Sequence, residues 1–207
     1  MENLARDRQT IILALIVIAA VVVSGLLGYY ISASNSTSHG NSNTQSNVVN
    51  LEIIPDYGGS GYDAFVLASN FENGNVPAPA TNTTAPGVNN NNITASVGST
   101  VTFVLTNIDT AVNENFSGTL PTPFTVYNDT DSGVIASQYS AGQSTALAMS
   151  HTFTITQLGV NVPIPADTVV SFKLTFSKAG TYLYECETPC GPGMGLVGYM
   201  SGYVIVK

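Results

Sequence analysis

The hydrophobic pattern of the chain changes character once. Residues Ile11 to Ile31 (IILALIVIAAVVVSGLLGYYI) are 21 consecutive positions without a charge. Coiled as a helix at about 1.5 Å per residue, such a run covers roughly 30 Å, the depth of a bilayer's hydrocarbon core. Arg6 and Arg8 precede it and Tyr29-Tyr30 close it, so the positive-inside rule leaves everything after it outside the cytoplasm. The pattern predicts a cytoplasmic stub and one transmembrane helix in residues 1–31. A cleaved signal peptide is the competing reading, because Ser32-Ala33-Ser34 supplies small residues at the end of the run. The run exceeds the ~7–15 apolar residues of an ordinary signal core, which favours a retained anchor. Residues 32–47 (SASNSTSHGNSNTQSN) have nothing to bury and read as a flexible polar tether.

From Val48 onward the period is two. Val48 to Ile54 reads as a first strand and Tyr62 to Leu67 as a second. In Thr100 to Thr106, Val101, Phe103 and Leu105 share one face, with Thr100, Thr102 and Thr106 on the other. His151 to Ile155 alternates likewise. Val169 to Phe176 and Thr181 to Tyr184 follow, separated by the turn Ser177-Lys178-Ala179-Gly180, and Tyr203 to Val206 closes the chain. No segment after Ile31 sustains a 3.6-residue apolar period, so residues 48–207 are predicted as one all-β sandwich. Two stretches lack strand patterning and read as surface loops: Asn73 to Asn92, and Asn113 to Gln143 with one short strand near Phe124 to Tyr127.

Composition narrows the function. Hydrophobic residues are 44%, enough for a core, while charged residues are 9%, against about 25% in ordinary domains. The net charge is −8, and binding to nucleic-acid phosphates needs clustered Lys and Arg, so no nucleic-acid partner is expected. Beyond Ile31 stand three lysines and eleven carboxylates. A surface so poor in ionisable groups suits an acidic outside medium. Five N-x-[ST] sequons, at Asn35, Asn82, Asn92, Asn115 and Asn128, fall in stretches read as tether or loop and fit a glycosylated exported protein. The glycine pairs near Gly58 and Gly191 sit in no strand-to-helix context, so nucleotide binding is not indicated. A single histidine after the tether supports no Ser-His-Asp arrangement. His39 lies in the tether without a fixed partner.

The chemistry-bearing residues gather in two segments. One is Ser150-His151-Thr152-Phe153. The other is the run Tyr184 to Met194 (YECETPCGPGM), followed by Met200. Both cysteines, the one histidine of the folded part and two of the four methionines lie there. Thiolate, imidazole and thioether together are a donor set that copper prefers.

The stretch from Met149 to Lys207 resembles the copper domain of cytochrome c oxidase subunit II, and more broadly the cupredoxins. The residues that carry the likeness are His151-Thr152-Phe153, Gly180-Thr181-Tyr182, Cys186-x3-Cys190-Gly191-Pro192-Gly193, Met200-Ser201-Gly202 and Val204-Ile205-Val206. It is close over roughly these last sixty residues and only an outline before them. The resemblance implies a cupredoxin-like Greek-key β-sandwich and a binuclear copper centre. Carried over by position, Cys186 and Cys190 would bridge, and His151 would be the first imidazole. The carbonyl of Thr188 and the thioether of Met200 would complete the set. Met194 departs from the pattern: it stands where the family has its second histidine, and thioether holds Cu(II) poorly compared with imidazole.

Three states of the site follow. Copper is held by His151, Cys186, Cys190, Met194 and Met200; or copper is lost and Cys186-Cys190 is a disulfide, as export favours; or the segment only packs. The likeness implies a membrane-anchored, subunit II-like component of a heme–copper terminal oxidase, beside subunit I or other respiratory membrane proteins. With copper retained, its electrons would come from a copper carrier; with copper lost, quinol would feed the oxidase and the domain would be a non-catalytic cap. The alternatives are a stand-alone tethered copper shuttle, which the tether's reach suits, and a redox-inactive glycosylated surface domain.

Overall fold

The alternating segments become strands of two packed sheets. The computed structural model describes residues 47–56, 62–68, 91–191, 194 and 198–207, with thirteen strands among them. They are β1 (Asn47–Ile54), β2 (Ala64–Leu67), β3 (Ile93–Ala95), β4 (Thr100–Asn107), β5 (Glu114–Thr119), β6 (Phe124–Thr130), β7 (Gly133–Tyr139), β8 (Ser144–Met149), β9 (His151–Ile155), β10 (Val160–Ile164), β11 (Thr168–Thr175), β12 (Gly180–Glu185) and β13 (Ser201–Val206). A short 3-10 turn, Thr156–Leu158, links β9 to β10. The predicted anchor Ile11 to Ile31, most of the tether and most of Asn73 to Asn92 lie outside the described residues. Among the described residues no helix is long and apolar enough to cross a membrane.

One sheet runs β2-β1-β4-β11-β6-β7, the other β10-β9-β12-β13-β3, and β5 pairs with β8 as a separate ribbon. Six of the ten strand pairs join strands that are not consecutive in sequence, a Greek-key-like weave. Two pairs are parallel, β1 with β4 and β13 with β3. Every described residue belongs to the compact unit Thr44–Lys207.

The core is aromatic where the sheets face each other. Phe103 of β4 stacks on Phe172 of β11 with centroids 4.9 Å apart, and meets Phe153 of β9 at 5.2 Å. Phe153 in turn stacks on Tyr184 of β12 at 4.9 Å. Phe65, Phe103, Phe153 and Tyr184 are fully buried. Offset and tilted ring pairs of this kind add about 0.5–1.5 kcal/mol each beyond their buried area. Burial also pushes the Tyr184 hydroxyl well above its ordinary pKa, and it donates to the Asn91 carbonyl at 2.7 Å.

The sequence expectation falls short in more than one place, and β3 and β8 are strands it did not name. Asn113 to Gln143 is not a loop with one short strand: it carries β5, β6 and β7. β5 and β7 are exposed along nearly their whole length. They are held by their ladders, β5 by β8 and β7 by β6, so no buried face imprints an alternation on the sequence. Asn115 and Asn128 consequently sit on β5 and β6 rather than in loops. β10 was also unforeseen. Pro163 interrupts its apolar run, and the proline is tolerated because β10 is a sheet edge.

Candidate metal centre

Three elements converge at one end of the sandwich. His151 is the first residue of β9. Cys186, Thr188 and Cys190 follow β12, and Met200 directly precedes β13. The β12–β13 ladder continues one step past Glu185, as the Cys186 N–H donates to the Met200 carbonyl at 3.0 Å. The Glu187 N–H then donates to the Thr152 hydroxyl at 2.8 Å, tying the loop to β9. Next the chain turns tightly: the Cys190 N–H meets the Thr188 carbonyl at 2.6 Å. Gly191 continues at φ +82°, a left-handed conformation that favours glycine.

Cys186 and Cys190 are joined as a disulfide, and both are buried. Around them gather the donors named from sequence. His151 is fully buried, with Nδ1 4.0 Å from Cys186 Sγ. The nitrogen and both sulfurs fall within 4.8 Å of one another. Thr188 places its hydroxyl 3.1 Å from Cys186 Sγ and 2.8 Å from Cys190 Sγ, and its carbonyl oxygen 3.9 Å from Cys186 Sγ. Met194 is beside them, its Sδ accepting the Cys190 N–H at 3.1 Å. Met200 is fully buried in the apolar cluster that contains both cysteines, and its polar link to the site is the main-chain bond just described.

The other edge of the imidazole faces two carboxylates that the sequence reading missed. His151 Nε2 lies 3.0 Å from Asp109 Oδ2. Asp63 completes a second cluster, in which one carboxylate oxygen of each aspartate and one ring nitrogen lie within 4.8 Å of each other. Neither aspartate carries a motif, and Asp109 is 42 residues from His151 in sequence. A carboxylate only accepts, so Nε2 carries the hydrogen. Burial lowers the His151 pKa most, against the opposing pull of Asp109 and Asp63, and so favours the neutral ring. A neutral ring protonated at Nε2 presents the Nδ1 lone pair to the sulfurs. Asp63 itself is raised, first by burial and further by the Asp109 and Asp56 carboxylates; an N–H bond from Asp56 and the nearby His151 oppose this.

A cleft of about 320 Å³ opens beside the centre, lined by Glu114, Met149, Thr152, Asn161, Glu187 and Thr188 among others. It ends against Thr152 and Thr188, both of which touch Cys186 Sγ. Two carboxylates at its walls make it a route that attracts cations rather than anions.

The donor set fits a soft metal ion. Once the disulfide is reduced it offers two thiolates and an imidazole nitrogen turned toward them, with a thioether and a carbonyl adjacent. It differs from a site with two imidazoles, because His151 is the sole histidine after the tether.

No family model and no curated protein matches the sequence. Solved structures with related outlines are cupredoxin-like. The periplasmic domain of subunit II of cytochrome oxidase from Bradyrhizobium japonicum shows 12% identity and a TM-score of 0.38, over 78% of this chain and 83% of that one. A multi-copper oxidase from Pediococcus acidilactici shows 11% identity and a TM-score of 0.37, over 83% of this chain. This chain spans only 28% of that oxidase. An amicyanin mutant in its Cu(I) form shows 20% identity and a TM-score of 0.21, over 56% of this chain and 69% of that one. Similarity this loose describes an outline of fold and bears on neither ligand nor partner.

Proposed function

We propose that the domain is a copper-binding electron-transfer module, held outside the cytoplasmic membrane by the Ile11 to Ile31 helix as the subunit II-like part of a heme–copper terminal oxidase. The observation that carries the copper assignment is the buried meeting of His151 Nδ1 with the sulfurs of Cys186 and Cys190. Cys186, Cys190 and His151 would hold the ion, with Met194 as a further donor and the Thr188 carbonyl in reach. Copper bound there would supply one-electron exchange between its Cu(I) and Cu(II) states. The chain's own contribution is to keep the imidazole neutral, to aim its lone pair at the sulfurs and to exclude water, since all three donor residues are buried. The Cys190 N–H on Met194 Sδ and the Glu187 N–H on Thr152 fix the loop before any ion arrives. Met194 in place of an imidazole weights the site toward the reduced ion.

The disulfide favours a second reading, in which Cys186-Cys190 is a closed remnant and the domain is a structural cap on an oxidase fed by quinol. One experiment separates them. Full-length protein is reduced, loaded with copper, and assayed for metal content and visible absorption. Thiolate-to-copper bands that vanish in Cys186→Ser and in Cys190→Ser establish the electron-transfer site. A colourless, copper-free protein whose cysteines resist thiol reagents until reduced establishes the remnant. Heme that co-purifies with the membrane-extracted chain supports the oxidase assignment; extraction without heme, with copper bound, supports a free-standing shuttle.

A further inference from the structure

Asp109 does more than neutralise its surroundings. Its carboxylate is divided between two donors: Oδ2 takes the His151 Nε2–H at 3.0 Å, and Oδ1 takes the Ala111 N–H at 2.8 Å. The rest of the residue is pinned as well. The Asp109 N–H donates to Asn107 Oδ1 at 3.0 Å, and its carbonyl accepts the Asp167 N–H at 2.9 Å. Asn107 is fixed in turn through Nδ2 on the Pro165 carbonyl at 2.8 Å. The same loop is laced to the start of β9. The Ser150 hydroxyl donates to the Ala111 carbonyl, and Asn113 Nδ2 donates to the Ser150 carbonyl at 2.8 Å. A residue held at Oδ1, at its N–H and at its carbonyl cannot follow the ring if the ring turns. The ring has no comparable polar hold at Nδ1, where its neighbour is a sulfur at 4.0 Å.

We infer that Asp109 is the positioning residue of the centre: it fixes the Nε2–H tautomer of His151 and thereby aims the Nδ1 lone pair at Cys186 and Cys190. This is the carboxylate–histidine arrangement that orients metal ligands, in which loss of the outer partner costs about 10- to 100-fold in metal affinity. The inference rests on the copper reading for its purpose, though not for its test. Asp63 lies in the same cluster but is not given this role, because the one N–H of the neutral ring goes to Asp109 Oδ2 at 3.0 Å.

Asp109→Asn gives a sharp expectation. The Ala111 N–H still requires an acceptor, so the amide oxygen takes the Oδ1 position and the NH₂ faces His151. That NH₂ donates to Nε2, and the ring is driven to the Nδ1–H tautomer, its lone pair turned away from the sulfurs. The measurement is nitrogen-15 NMR of histidine-labelled, full-length chain carrying His39→Gln, reduced and metal-free at pH 8, above the ordinary imidazole pKa of about 6.5. The unaltered Asp109 protein is expected to show a protonated Nε2 and a bare Nδ1; Asp109→Asn is expected to show the reverse, and Asp63→Asn no change. Cu(I) affinity, measured on the same proteins by competition with a chelator, is expected to fall about 10- to 100-fold in Asp109→Asn. A protonated Nδ1 in the Asp109 protein overturns the inference, even if Asp109→Asn does not fold. So does an Asp109→Asn protein that keeps the Nε2–H form. Should copper fail to bind the Asp109 protein at all, the copper reading falls, while the tautomer measurement still decides the role of Asp109.

Discussion

Gly202 sits opposite Tyr184 in the β12–β13 ladder, two residues from Met200, and the packing leaves it no room for a side chain. A Cβ placed there would lie 2.6 Å from Tyr184 Cζ and 2.8 Å from Cε1, with the hydroxyl in overlap as well. Tyr184 cannot yield cheaply. Its ring is stacked on Phe153 at 4.9 Å, meets Phe65 edge-on at 5.7 Å, and is tied through its hydroxyl to the Asn91 carbonyl at 2.7 Å. Overpacking of a filled core costs about 1–3 kcal/mol. Losing the partner of a buried polar group adds about 1–3 kcal/mol. Gly202→Ala is therefore expected to cost about 2–6 kcal/mol, and at about 2–4 °C per kcal/mol for a domain of this size Tm falls by roughly 4–24 °C. Gly180, at the far end of the same ladder, is the control. A Cβ there meets the Tyr182 side chain at 3.4 Å, and Gly180 is exposed while Tyr182 is only partly buried. Gly180→Ala is expected to stay within about 0.5 kcal/mol of the parent protein. Thermal and urea unfolding of both variants check this. Equal stabilities for the two would refute the claim that Tyr184 is locked against Gly202.

Glu52 on β1 has its pKa raised by burial, so the fold disfavours its ionised form. The parent protein should gain stability from protonation of Glu52 below its unfolded value near 4.5 and lose that gain as pH rises through the folded value. Glu52→Gln is thus expected to be the more stable protein at pH 7 and to converge on the parent near pH 4; urea unfolding across that range reads the difference, and a constant offset would refute it. Met194→His adds the imidazole that the copper-domain pattern requires, beside Cys190. Cu(II) affinity is expected to rise and the midpoint potential to fall, by metal titration and redox titration, while an unchanged potential would place residue 194 outside the coordination sphere.

What the sequence determined is what a one-sided environment imprints. β4 buries Val101, Phe103 and Leu105, and β11 buries Val170 and Phe172, so the period of two is legible without any structure. The same holds for the order His151, Cys186, Cys190, Met194, because those donors lie on or beside the last strands, where local turns alone bring the two cysteines together. β5 and β7 left little such record: Phe116 and Tyr139 pack against the core, but the other positions of both strands are largely exposed and the ladders to β8 and β6 define them. β8 was the missed strand with a readable signal: Thr145, Leu147 and Met149 alternate with exposed Ser144, Ala146 and Ala148.

The carboxylates behind His151 were decided by topology alone. β1 pairs antiparallel with β2 and parallel with β4, matching Ile54 with Ala64 and Ile53 with Asn107. That register puts the residue before β2, Asp63, and the residue two past β4, Asp109, at the same end of the sheet. β11 pairs Thr168 with Asn107 and so delivers Asp167 to the Asp109 carbonyl. No spacing along the chain encodes this meeting, because it depends on which strands are neighbours. A ligand's type can be read from its own residue; which of its atoms bears the proton is settled by a partner that only the folded sheet brings near.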